Sequence, residues 1–120
     1  MSRSLLVKVT AGAEDAERCN QAFTVSAAAV AVGADVSLWL TGEAAWFAVP
    51  GKAEEFDLPL ATPLADLRDV VLAGGRVTLC TQCAERRGIT EADVVAGVTI
   101  AGAARFAEEA LGVGVQALVY

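Results

Sequence analysis

Cys80 and Cys83 stand three apart in the segment VTLCTQCAERRGI, residues 77–89, at the end of an apolar run and just ahead of Arg86, Arg87 and Gly88. A cysteine does chemistry as its thiolate, and a second thiol at this spacing can resolve what the first has attacked. Four readings are open: a metal clip, a redox pair, a nucleophile for sulfur transfer, or small side chains packed in a core. A structural zinc needs four ligands, whereas this chain has three cysteines and no histidine, so no metal site is expected. A thioredoxin-like oxidoreductase fits poorly too, because the pair comes late in the chain and has no aromatic residue directly before it. Cys19, on the apolar side of a helical segment, reads as core.

The elements that must position this pair follow from the hydrophobic pattern. SLLVKVT (4–10) is a β-rich run closed by Gly12. The segment from Ala13 to Ala34 has acids in its first turn and Gly33 near its end, with Ala16, Cys19, Phe23, Ala27 and Val30 at helical spacing. Its other side, with Ala22, Ser26 and Ala29, is scarcely polar, which predicts burial on two sides and supports a subunit contact. DVSLWLT (35–41) alternates as a second strand, and GEAAWFAVPG can begin a helical turn before Pro50 and Gly51 stop it. Residues 50–63, with three prolines and four charges, form a long connection of the kind that is often functional. Leu64, Leu67 and Val71 mark the next helix, with Pro63 at its start and a glycine pair at its end.

RVTLC (76–80) is the third strand and TQCAERRG a helical turn or short helix. The Thr-Glu-Ala-Asp stretch of ITEADVVAG reads as a helix start, and VTIAG (98–102) as a short strand. AARFAEEAL is a helix with Ala103, Phe106, Ala107 and Ala110 inward, and VGVQALVY is the last strand. Strands alternating with helices predict one α/β domain over residues 1–120, with a mainly parallel sheet of about five strands and helices on both faces.

In such a sheet, ligands and reacting groups gather beyond the carboxyl ends of the strands. Cys80 falls on that edge as the last residue of its strand. Cys83 lies in or near the first turn of the following helix, where unpaired N–H groups and the helix dipole favour an anion. Arg86 or Arg87 can add to this, and a thiol so placed has a pKa lowered from about 8.5 into the range of roughly 3.5 to 7.5. Thr41 and Glu43, with Trp39, Trp46 and Phe47, gather around the carboxyl end of the second strand. They either line a pocket beside the cysteines or cap the sheet.

The totals exclude several classes. A formal charge of −6 opposes nucleic-acid binding, and no run reaches the roughly 20 apolar residues that cross a bilayer. No export signal is visible, so a cytoplasmic protein is expected, with thiols kept reduced. The glycine-rich AGGRV and LGVGVQ lack the lysine and hydroxyl residue of a phosphate loop, and no cofactor is expected. With 55% hydrophobic residues in 120, the chain has more apolar area than a small monomer hides easily, which predicts a homo-oligomer.

The cysteine segment resembles that of the DsrE-like proteins, which include sulfur-relay subunits of the TusD type. In sulfur-carrying members the reactive cysteine stands eight residues before the glycine of an RG pair, and Cys80 stands eight before Gly88. Cys83 matches the second cysteine of relatives with a CxxC version. The small-residue first helix ending in glycine, DVSLWLTGEAAW, and the closing GVTIAGAARFAEEAL are similar as well. The resemblance implies a Rossmann-like or flavodoxin-like sheet and a cytoplasmic dimer, trimer or hexamer. It also implies a sulfur-relay partner and a Cys80 that accepts sulfane sulfur as a persulfide. Two other functions remain open from the residues: an oligomeric module that binds a small molecule or protein, and a thiol–disulfide redox sensor.

Overall fold

The computed structural model describes residues 3–120. Five strands, β1 (Ser4–Val9), β2 (Asp35–Leu40), β3 (Arg76–Cys80), β4 (Thr99–Ala101) and β5 (Val115–Val119), form one parallel sheet in the order β4-β3-β2-β1-β5. The helices are α1 (Ala16–Ala31), α2 (Lys52–Glu55), α3 (Leu64–Gly74), α4 (Thr81–Arg86) and α5 (Ala103–Ala110). The expected α/β sheet of about five strands is therefore observed, and it is wholly parallel.

Right-handed crossovers explain the layering. From β1 to β4 each strand steps to its neighbour in one direction, so α1, α3 and α4 share a face. The connection from β4 returns past three strands to β5, which puts α5 on the opposite face. The first face holds the main core: Val7, Val9, Val36, Leu38, Leu40, Val77 and Leu79 project from alternate strand positions onto Phe23, Leu64 and Val71. The two-sided burial of α1 comes from within the chain, since Ala22 and Ser26 are buried where α1 packs between sheet and α3. The buried Arg68 ties α3 to the preceding connection by donating to the Phe47 carbonyl at 3.2 Å and pairing with Glu54 at 3.6 Å.

The second face is thinner. Trp39 is buried there, edge-on to Phe106 of α5 with ring centres 5.3 Å apart. Its indole N–H donates to Glu109 at 3.1 Å, and the Ser37 hydroxyl donates to the same oxygen at 2.6 Å. Of the residues expected inward on α5, Phe106 and Ala110 are half-buried, while Ala103 and Ala107 are exposed. A carboxylate takes the inward place that an apolar side chain was expected to fill, because Trp39 and Ser37 offer it two donors.

Two other local expectations change. The predicted helix after Thr90 is a single 3-10 turn, Glu91–Asp93, closed by a capping box between Thr90 and Asp93. Val94 is already extended, so β-branched Val94 and Val95 end it at once. The long connection contains the short helix α2, and GEAAWFA (Gly42–Ala48) is a complete 3-10 segment.

Candidate functional site

Three loops meet at the carboxyl edge of the sheet, and their close approach depends on glycine. Gly42 has φ +53, and a β-carbon on it would lie 2.4 Å from the Thr10 carbonyl oxygen, in the loop after β1. Thr41 braces the same junction: its N–H and hydroxyl both donate to the Val9 carbonyl, at 3.0 and 2.7 Å. The chain therefore turns across the end of β1 and aims the Gly42 N–H at the Cys83 sulfur, 3.2 Å away.

Cys80 ends β3 in extended conformation and is the N-cap of α4, so the unpaired N–H groups of the first helical turn face its own side chain. Burial alone pushes the Cys80 thiol up. Hydrogen bonds from the Cys83 N–H, the Cys83 S–H and the Gln82 N–H, with attraction from Lys8, outweigh that and bring it below the ordinary cysteine value. Cys80 is partly exposed and Cys83 buried. The pair thus consists of an accessible sulfur that favours the thiolate and a covered sulfur that donates to it. Cys19 is the opposite case: burial first, and then the charges of Glu14 and Asp15, push its thiol up from 9.0 to about 12.

The position of Cys80 in the sheet is a topological switch point. The connection leaving β3 goes to one face and that leaving β4 to the other, so the chain parts between Cys80 and its β4 neighbour Ala101. The starts of α4 and α5 lie close here, since a β-carbon on Gly102 would be 3.9 Å from the Thr81 hydroxyl.

The arginines divide. Arg87 donates to one Glu43 oxygen through two nitrogens, at 3.0 and 2.7 Å, and to the Cys83 carbonyl at 3.1 Å. It clamps the loop after β2 to α4. Arg86 is exposed on α4 and has no ion pair or hydrogen bond among the described residues. The structure thus brings Cys80, Cys83, Thr41, Glu43 and Arg87 into one set of contacts, with Arg86 at its margin. The two tryptophans also separate: Trp39 lies under α5, whereas Trp46 lines a cavity of about 310 Å³ with Phe47, Phe56, Glu43 and Lys52.

Sequence reasoning missed Lys8 and the Gly42 N–H. Lys8 had a signal, because a lysine two residues after Leu6 in a central strand must lie on the Leu6 face, opposite Val7 and Val9. Gly42 had none, since its part is played by backbone.

The molecule is a doubly wound parallel α/β domain with a CxxC pair at a strand end. The chain belongs to the DsrE/DsrF-like family, whose model matches residues 3–112. It is 30% identical over 103 residues to the uncharacterised protein MJ0760 of Methanocaldococcus jannaschii, covering 85% of this chain but 38% of that protein's length. Among solved structures, the YchN protein from E. coli superposes with a TM-score of 0.81 at 20% identity. MTH1491, a protein of unknown function from Methanobacterium thermoautotrophicum, superposes with a TM-score of 0.73 at 10% identity. Both alignments cover 100% of each chain, and at those identities they establish the shared fold.

Proposed function

We propose that this protein is a small sulfur-relay protein that carries sulfane sulfur on Cys80. The observation that carries the reading is the environment of Cys80, a partly exposed sulfur at a strand end with N–H and S–H donors around it. Family membership supports the same chemistry. In the uptake step the Cys80 thiolate attacks the outer sulfur of a donor R–S–SH. The bond from Cys80 to that sulfur forms, the donor's S–S bond breaks, and R–S⁻ leaves with the electron pair. Glu43, Arg87 and Thr41 hold the loop that faces Cys83, and Arg86 is an exposed cation for a donor or acceptor protein.

The contact between Cys83 and Cys80 favours a second reading alongside the first. Cys83 can attack a Cys80 persulfide, giving the Cys80–Cys83 disulfide and releasing the outer sulfur as H₂S. The pair then acts as a discharge or redox switch. Assembly with further copies is part of the proposal: among the described residues none from Thr90 to Tyr120 is fully buried, and Val113, Leu118 and Val119 are exposed on or beside β5. Among the described residues no helix is long and apolar enough to cross a membrane.

The test is the intact mass before and after exposure to a persulfide donor, with Cys80→Ser in parallel. Gain of one sulfur atom that requires Cys80 supports the relay. Loss of two hydrogens without added sulfur supports the switch. If neither protein changes and alkylation is slow, both readings fail.

A further inference from the structure

Lys8 acts on Cys80 from a strand that is not its neighbour. It lies in β1, an interior strand between β2 and β5, and is half-buried. Its ammonium rests 4.9 Å from the centre of the Phe106 ring and forms no ion pair among the described residues. The ammonium thus has an aromatic face beside it and no carboxylate among the described residues.

Strand register relates Lys8 to Cys80. Lys8 pairs with Trp39 and Trp39 with Thr78, and Cys80 lies two residues beyond Thr78 on the same strand. Side chains two apart share a face, so Lys8 and Cys80 project from one side of the sheet. Their α-carbons are separated by roughly 10 Å across the strands and roughly 7 Å along them, a gap that the long lysine stem narrows. Two of the other cations are already paired, and Arg86 is exposed on α4. Arg76, at the far end of β3, pairs with Asp35 at 2.9 Å, and Arg87 is bound to Glu43 on α4. The Lys8 ammonium lies over the Phe106 ring, on the face of the sheet that Cys80 shares.

We propose that Lys8 is the anion-receiving group of the thiol site: it draws small donors bearing negative charge to Cys80 and stabilises the persulfide anion formed there. The second half rests on the sulfur-relay reading. The first half, a positive field at Cys80, does not. Lys8 acts at a distance from the reacting sulfur and is a positioning residue.

Iodoacetate and iodoacetamide test the field directly, because both alkylate the same thiolate and differ in the charge they bring. The ratio of their rate constants cancels the thiolate fraction and reports what an incoming anion meets. The measurement is made on Cys83→Ser protein, in which buried Cys19 is silent. Lys8→Met keeps the apolar stem on Phe106 and is expected to lower the iodoacetate to iodoacetamide ratio by roughly threefold to tenfold, from Coulomb's law over such distances. Lys8→Arg should preserve the ratio. In the Cys83→Ser protein with Lys8 intact, the ratio should also fall on raising salt to about 0.5 M, where screening is nearly complete, and this needs no further variant to fold. A ratio unmoved by Lys8→Met in folded protein, or unmoved by salt with Lys8 intact, overturns the proposal. An intact effect in a protein that gains no sulfur on Cys80 overturns the relay reading alone.

Discussion

Gly42 lies where two requirements meet, a left-handed backbone and no room for a side chain, and substitution by alanine separates them when Gly33→Ala serves as reference. Both glycines have positive φ, +53 and +92, so both variants carry left-handed strain of about 1–2 kcal/mol. Both also gain about 0.4–1 kcal/mol from a less flexible unfolded chain. Around Gly33 nothing lies within 4 Å of the added carbon, whereas at Gly42 it meets the Thr10 carbonyl oxygen at 2.4 Å. That oxygen belongs to backbone held beside β5, since Thr10 donates from both its N–H and its hydroxyl to the Tyr120 carbonyl. Relief therefore requires a loop to shift, at about 1–3 kcal/mol. The expected losses are about 1 kcal/mol for Gly33→Ala and about 2–4 kcal/mol for Gly42→Ala. Urea denaturation followed by far-UV circular dichroism measures both, as midpoint shifts at constant slope. The shift at Gly42 also moves its N–H from the Cys83 sulfur and should alter the rate of Cys80 alkylation, which Gly33→Ala should leave unchanged. Equal losses for the two variants would refute the convergence of loops on which the site depends.

Cys83→Ala removes the S–H donor to Cys80, so the pH profile of iodoacetamide alkylation at Cys80 should move to higher pH, and an unmoved profile excludes that hydrogen bond. Because the folded Cys80 value is lowered, its ionisation stabilises the fold above the ordinary thiol range, and this is lost as pH falls through the lowered value. The same variant should flatten that slope. Cys19 has the reverse sign: its raised value means stability is intact below pH 9.0 and declines as pH rises toward 12. Cys19→Ala should therefore lose less stability than the parent between about pH 9 and 11, measured as urea midpoints. Arg87→Lys cannot make two bonds to Glu43 and a third to the Cys83 carbonyl. With Glu43 half exposed, the loss should be only about 0.5–1 kcal/mol by the same denaturation assay.

The sequence exposed the parts of this fold that depend on repetition. Short β-rich runs between helical segments located all five strands, and the β3 boundary at Cys80 followed from the apolar run RVTLC meeting polar TQC. The order of strands was not legible, because each strand has the same period wherever it lies in the sheet. α5 reads in sequence as an ordinary amphipathic helix, but its sheet-facing side includes Glu109. That choice depends on Ser37 and Trp39, about seventy positions earlier in the chain. The site divides in the same way. Cys80 and Cys83 announced themselves by type and spacing. The partner of Arg87 and the facing of Lys8 depend on register between strands, which no local pattern encodes.

The uneven clothing of the two sheet faces has a consequence for how the molecule comes apart. On the α1 and α3 side, Phe23, Leu64 and Val71 seal a continuous interior. On the other side α5 has no fully buried residue and is fastened at Phe106 and Glu109. Free energies of local opening follow buried contact, so α5 and β5 should exchange amide hydrogens well before β1 to β3 do. Cys80 belongs to the durable half by its strand, while the wall across from it belongs to the half that loosens first. A bulky partner could thus reach the sulfur by displacing one short helix, with the rest of the fold left standing.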